Sequence, residues 1–189
     1  MIDLKAVNIY LASNSPRRKA IFDFLGLDYQ TLSISTEEDS NKRDPLSYCL
    51  DICEEKLQSA KGKLVKEESL IIVADTIVCL GSEKFGKPKS RKDAFEMLKK
   101  LSGKTHKVIT GVGYHFKGKN SFFWDETQVD FLNLTDNMIN FFLDKDQFLD
   151  KAGSYGIQSE DCFFIGQIKG SLSNVIGFPL EKFSEEFSF

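Results

Sequence analysis

The chain has 189 residues, 25 of them Lys or Arg and 28 Asp or Glu, for a formal net charge of −3. That length sets one domain, residues 1–189, with room for a two-lobed body around a cleft. The balance argues against a protein that coats polymeric nucleic acid, which carries a large surplus of Lys and Arg, and 41% hydrophobic residues exclude a disordered chain.

Val7–Ala12 reads as a short buried strand, after which Ser15 offers an N-cap and Pro16 a first helical residue. That helix runs to about Leu25 and Gly26 ends it. Tyr29–Ile34 predicts a second strand, and Asp44-Pro45 repeats the cap-and-proline signal for a helix to about Ala60. Leu70–Leu80 is an apolar, β-branched strand interrupted by one charge, Asp75. Gly81-x4-Gly86-Lys87 has the spacing of a phosphate-binding loop, but Pro88 stands where Ser or Thr would hold magnesium. A hairpin turn ending in a placed lysine fits better. Ser90 and Asp93 form a capping-box-like start for Arg91–Leu101. Two long β runs over 106–133 flank Lys117-Gly118-Lys119-Asn120 and predict an antiparallel hairpin. Thr135 caps a short helix to about Leu143, Cys162–Lys169 reads as a strand, and Gly170–Asn174 as a connecting loop. Pro179 opens an amphipathic helix that packs Leu180, Phe183 and Phe187. Helices interleaved with strands predict an α/β or mixed α+β sheet with helices on its faces. The 17 Phe residues predict an aromatic-rich core.

The N-terminus has no secretory apolar region, and no apolar stretch reaches the roughly 20 residues of a bilayer span. The expectation is a cytoplasmic protein, away from membranes, whose Cys49, Cys53, Cys79 and Cys162 are reduced and mostly buried. The Asn133-Leu134-Thr135 sequon would then go unused. His106 and His115 lie nine apart on β-like runs, without a metal-ligand partner at sensible spacing.

Two features point to chemistry. At the first helix, Ser13 and Ser15 precede the N-terminus while Arg17 and Arg18 occupy its first turn. Basic residues there oppose the helix dipole, and a bound anion such as phosphate would reconcile the two; a capped surface helix with solvated arginines is the alternative. Asp75 inside an apolar strand is costly without a partner or a task. Metal coordination or general-base work would supply one, and a strand end facing water is the plainer account. Glu37-Glu38-Asp39 and Asp150–Gln158 are polar stretches of less definite meaning.

Taken in order, Leu11–Arg18, Ala74-Asp75-Thr76, Lys87-Pro88, Leu101–His106, Lys151–Gln158 and the turn Gly170–Pro179 resemble the Maf family of nucleoside triphosphate pyrophosphatases, over about residues 9 to 184. The resemblance implies an α/β fold related to the inosine-triphosphate pyrophosphatases: an elongated mixed β-sheet flanked by helices, a deep central cleft, and often a homodimer. It implies magnesium- or manganese-dependent hydrolysis of a nucleoside triphosphate to the monophosphate and pyrophosphate. By the same resemblance Asp75 is the proton acceptor, while Ser13, Arg17, Arg18, Glu38, Lys56 and Lys87 line the site; Asp75, joined by Glu38, is expected to bind the metal. Arg17, Thr76 and Gln158 match the specificity positions of members acting on dTTP and UTP, with 5-methyl-UTP and pseudo-UTP among the modified substrates. The sister group prefers 7-methyl-GTP, and a nucleotide-binding regulator of cell division with little turnover is the rival outside catalysis. Ser159-Glu160-Asp161 and Leu172 depart from the family pattern, which usually has glycine and an aromatic there.

Overall fold

The computed structural model describes residues 1–63, 69–145 and 148–189. In chain order the elements are β1 (Ile2–Asp3), β2 (Asn8–Leu11), α1 (Pro16–Phe24), β3 (Tyr29–Thr31), α2 (Pro45–Lys61), β4 (Ser69–Leu80), β5 (Glu83–Phe85) and α3 (Arg91–Leu101). They continue with β6 (Thr105–Phe116), β7 (Lys119–Phe131), α4 (Asp136–Lys145), β8 (Ile165–Lys169), α5 (Leu172–Ile176), α6 (Leu180–Glu186) and β9 (Phe187–Ser188).

Local chemistry sets most boundaries. Ser15 is extended, as a residue before proline must be, and Pro16 opens α1. The Ser15 hydroxyl makes no capping bond; instead the Ser15 N–H donates to Ser13 Oγ at 3.2 Å. Asp44 accepts from the Ser47 N–H at 2.8 Å and starts α2. Ser90 Oγ accepts from the Asp93 N–H, and the Asp93 carboxylate accepts from the Lys89 N–H. Lys117 and Gly118, at φ 47° and 79°, make the tight turn between β6 and β7.

Among the described residues, strands run β3–β2–β4–β6–β7–β8 across one mixed sheet, with β5 also paired to β4. The β2 pairings are parallel and the rest antiparallel. Strand β4 is paired with β6 over residues 71–79. Its other edge meets β2 at residues 69–72 and β5 at 78–80. Residues 73–77 therefore have a strand partner on one side only.

One face of the sheet packs on α2 through Cys53, Leu57, Ile71 and Val73. The approach is close at Gly111, where a Cβ would lie 3.1 Å from Cys53 Sγ and 3.2 Å from Cys49 Sγ. The opposite face carries two apolar clusters. In one, Ile21 and Phe22 of α1 and Phe183 of α6 cover Leu70, Ile72 and Val112. In the other, Leu98 of α3 and Phe142 of α4 cover Val78, Val108 and Val129. Thr76 and Thr110, opposite one another on β4 and β6, fall between the two clusters. Rings pack edge to face throughout, such as Phe22 on Phe178 at 5.2 Å and Phe131 on Phe164 at 4.9 Å. All four cysteines are buried.

Some elements differ from expectation. The strand predicted over 29–34 is paired only to Thr31, and the one predicted from Cys162 begins at Ile165. Residues 172–176 form α5 rather than part of a loop, with Ser171 Oγ capping the Asn174 N–H. Phe187 leaves the last helix to pair with Ile2 on β1. The strand ends are set by partners remote in sequence, whereas α5 is capped from within its own segment. No described helix is long and apolar enough to cross a membrane.

Gly111 tests the packing of α2. Replacement Gly111→Val inserts atoms into the Cys49–Cys53 contact and should cost about 1–3 kcal/mol in urea denaturation, with a midpoint shift and little change in slope.

Candidate active site

The β2 ladder ends at Leu11, followed by one bond from the Ala12 N–H to the Ile72 carbonyl, and β5 joins β4 only at Val78, so the sheet edge is open at residues 73–77. A cleft of about 520 Å³ lies against that opening. Side chains of alternate β4 residues point to opposite faces, yet Asp75 and Thr76 both line the cleft, because no neighbouring strand separates them there. Asp75 is neither at a strand end nor open to water: it is 9% exposed and lies opposite Gly111.

The sequence-predicted residues converge. Ser13, Arg17 and Arg18 come from the β2–α1 corner, Glu38 from the segment before α2, and Lys56 from α2 itself. Asp75 and Thr76 come from β4, Lys87 from the β5–α3 connection, and Gln158 from the segment before β8; all nine line this cleft.

Lys56 is the hub. Its Nζ lies 2.7 Å from Asp75 Oδ1 and 2.9 Å from Glu38 Oε1, and the other Glu38 oxygen takes Lys87 Nζ at 2.7 Å. Burial lowers the Lys56 pKa, but Asp75 and Glu38 outweigh it and the net shift is upward. Burial likewise pushes Glu38 up, and the two ammonium groups reverse that and hold its carboxyl at about 2. Glu38 has φ 51°, a left-handed backbone that non-glycine residues rarely adopt, and the Tyr48 hydroxyl donates to its carbonyl at 3.1 Å.

Arg18, 9% exposed, is held by neutral groups. Its Nε donates to the Gly177 carbonyl at 2.9 Å, one terminal nitrogen to Ser13 Oγ at 3.3 Å, and the other to Thr76 Oγ1 at 3.0 Å. A guanidinium has five N–H donors, so two remain, one on each terminal nitrogen. Ser13 Oγ accepts from both Arg18 and the Ser15 N–H, which uses both lone pairs and leaves its proton to donate. The corner thus offers an anion three donors beside the N-terminus of α1.

Arg17 reaches across the cleft to Asp150, at 2.6 Å to its carboxylate and 3.0 Å to its carbonyl. Gly153, at φ 68°, lets the following turn sit against β4; a Cβ there would be 2.9 Å from Val78 Cγ2. Tyr155 lines the cleft and its hydroxyl meets His106 Nε2 at 2.7 Å; burial pulls His106 down to about 4, so it is neutral near pH 7. Gln158 is exposed at the rim. The Cys162 N–H donates to the Ser159 carbonyl at 3.0 Å and folds the divergent Ser159-Glu160-Asp161 stretch into a tight turn. Asp150, Thr110 and Gly177 were not singled out by sequence. Thr110 and Gly177 carry no charge or periodic anomaly, and Asp150 sits in a polar stretch where an acid is unremarkable.

Fold and site together define a mixed α/β protein whose cationic cleft, with two carboxylates inside it, suits a phosphorylated ligand. The chain belongs to the Maf family: the family model described as Maf-like protein matches residues 8–188. A protein of Thermosipho africanus named dTTP/UTP pyrophosphatase is 40% identical over 93% of this chain and 90% of its own length. One of the same name from Pyrococcus abyssi is 40% identical over 92% of this chain and 91% of its own. Among solved structures, the Staphylococcus aureus Ham1 protein aligns at TM-score 0.48 and 16% identity, over 66% of this chain and 71% of that one.

The Glu38 pairing has a definite pH signature. Its folded pKa of about 2 lies below the ordinary 4.5, so the pair stabilises fully above about pH 5. That stabilisation is lost as pH falls through 4.5 toward 2. Glu38→Gln should lower the melting temperature near pH 7 and flatten its fall between pH 5 and 3, as read by thermal melts across pH.

Proposed function

We propose that this protein is a nucleoside triphosphate pyrophosphatase that hydrolyses dTTP, UTP and modified pyrimidine triphosphates such as 5-methyl-UTP and pseudo-UTP to the monophosphate and pyrophosphate. The observation that carries the reading is a buried carboxylate, Asp75, at the break in the sheet edge, paired to Lys56 and lining the same cleft as Arg18 and Ser13, which have donors unspent. The names of the relatives support the substrate class, and Arg17, Thr76 and Gln158 support the pyrimidine preference.

In this reading the triphosphate lies against the β2–α1 corner, where Ser13, Arg18 and Arg17 meet phosphate oxygens. Lys56 and Lys87, which pair with carboxylates in the ligand-free cleft, turn to the phosphates as well. Water attacks the α-phosphorus, Asp75 accepts its proton, the α-phosphorus to bridging-oxygen bond breaks, and pyrophosphate leaves with the electron pair. The cations neutralise charge that grows on the leaving group.

The residues present fit a divalent metal of the magnesium or manganese type. Asp75 Oδ1 and Glu38 Oε1 lie 2.7 and 2.9 Å from Lys56 Nζ, so two carboxylates converge on one point of the cleft. That is the sparse donor set magnesium uses when substrate phosphates and water complete its shell. Asp75 and Glu38 would hold it, and when bound it supplies charge neutralisation on the phosphates. We also take the protein to act as one domain, in the cytoplasm, on free nucleotides rather than polymeric nucleic acid, and as a homodimer.

Incubation with dTTP, UTP, 7-methyl-GTP and ITP plus magnesium, followed by a pyrophosphate assay, should give release from dTTP and UTP at about ten-fold or more above the purines. Release chiefly from 7-methyl-GTP, or tight binding with no release, would overturn the reading. Asp75→Asn should cost roughly a hundredfold or more in turnover. Heavy-oxygen water should label the monophosphate and not pyrophosphate.

A further inference from the structure

Behind the cleft wall runs a chain of hydrogen bonds whose direction is fixed. Arg18 can only donate, so it donates to Thr76 Oγ1 at 3.0 Å. A carbonyl can only accept, so Thr110 Oγ1 donates to the Asn174 carbonyl at 2.9 Å. Thr110 and Thr76 hydroxyls lie 3.0 Å apart. Thr110 has already given its one proton, so Thr76 must donate to Thr110. Thr76, partly exposed in the cleft, is left with a single lone pair.

Asn174 anchors the far end. It is fully buried; its side-chain oxygen accepts from the Thr110 N–H, and its amide donates to the Val108 carbonyl and to Thr127 Oγ1. Thr127 Oγ1 in turn donates to the Ser171 carbonyl and accepts from the Ser171 N–H. These bonds fix α5 on the sheet, and the Gly177 carbonyl just beyond α5 takes Arg18 Nε. Nothing in the network can reverse without breaking another bond.

We propose that Thr110 and Asn174 are positioning residues that set the polarity of the Thr76 hydroxyl, so that it meets the ligand only as an acceptor, opposite an N–H of the base or an O–H of the sugar. An unprotonated phosphate oxygen has no proton to give it, whereas Ser13, about one side chain away on the other flank of Arg18, has only a proton to offer. Arg18 therefore stands at the boundary between the phosphate-facing and nucleoside-facing parts of the cleft. This rests on the pyrophosphatase reading and deepens it, because it assigns Thr76 to a nucleoside donor group.

The test reads binding apart from turnover. Calorimetric titration compares three non-hydrolysable α,β-imido triphosphates: that of uridine, that of its pyrimidin-2-one analogue (a ring lone pair replaces the N–H), and that of 2′,3′-dideoxyuridine. One altered ligand should bind about ten-fold or more weaker than the uridine compound, and which one it is tells whether base or sugar supplies the proton. Thr110→Val removes the hydroxyl that takes the Thr76 proton and frees Thr76 to donate to the ring lone pair of the pyrimidin-2-one compound, so a base penalty should narrow to within about three-fold and Thr110→Ser should restore it, whereas a sugar penalty should persist. Thr76→Val removes the acceptor itself and should erase the same penalty, so the result does not hang on whether Thr110→Val folds. Were Thr110 merely packing, its loss would weaken all three ligands alike and leave a base penalty unchanged, and that outcome overturns the proposal, as does a base or sugar penalty that survives Thr76→Val. Equal binding of all three by the unaltered protein overturns it too. Pyrophosphate release from UTP is measured in parallel. Discrimination without turnover overturns the pyrophosphatase reading alone, turnover without discrimination overturns the polarity assignment alone, and binding of none of the three overturns both.

Discussion

The open stretch of β4, residues 73–77, is the constraint on which the rest depends. A strand with neighbours on both sides keeps its two faces apart, so consecutive side chains cannot serve one site. Where β2 has ended and β5 has not begun, the faces meet at an edge. Asp75 from the α2 side and Thr76 from the α1 side then share one cleft. The β2 pairing ends at Leu11, with one further bond from the Ala12 N–H to the Ile72 carbonyl, and Pro16, which lacks an N–H and fixes its own φ, opens α1 four residues on. The first turn of α1 carries Arg17 and Arg18 to the cleft.

Charge in the cleft is arranged so that no ion is stranded. Lys56, Lys87, Glu38 and Asp75 form a connected set in which each ammonium meets a carboxylate. A buried pair of this kind adds little net stability, since desolvation offsets attraction, but removing one member leaves an uncompensated charge. A triphosphate bound as proposed would exchange one set of anions for another without exposing bare cations to an apolar wall. Arg18 follows a different rule. Three neutral acceptors orient its plane, so it faces a ligand already aimed and with two protons free. The net charge of −3 conceals this. Residues 1–20 hold four basic groups against one acidic, while residues 145 onward hold four against seven. The overall sum bears on polyanions that cover a surface and says little about a compact phosphate ligand.

The polar row Thr76–Thr110–Asn174–Thr127 also divides the body. On its sheet face it lies between the cluster under α1 and α6 and the cluster under α3 and α4. Buried hydroxyls and an amide are tolerated there because every one has its partners, and a satisfied network specifies a single arrangement more strictly than apolar contact does. The glycine at 111 plays the same part on the other face, since it admits α2 closely enough for Lys56 to reach Asp75.

The sequence by itself determined the local architecture. Ser15-Pro16, Asp44-Pro45, Ser90 with Asp93, and Lys117-Gly118 fix element ends through φ, a missing N–H or a nearby acceptor, all of which act within about four residues. It also marked Asp75 as an ion in an apolar strand and Arg17 and Arg18 as cations at the wrong end of a dipole, anomalies visible without any fold. The family pattern supplied Glu38, Lys56 and Gln158, which carry no such local signal, and gave a role to Lys87, which local spacing marked only as the end of a hairpin turn. Only the tertiary structure decided what each group faces. Lys56 meets Asp75 across 19 residues, Arg17 meets Asp150 across 133, and Arg18 meets Gly177 across 159. The helix at 172–176 likewise hides in a stretch of small residues until Asn174 is seen bonded to three strand residues. The polarity of a hydroxyl belongs to no single residue: each has one proton, and where it goes is settled only when every neighbour's proton has been placed.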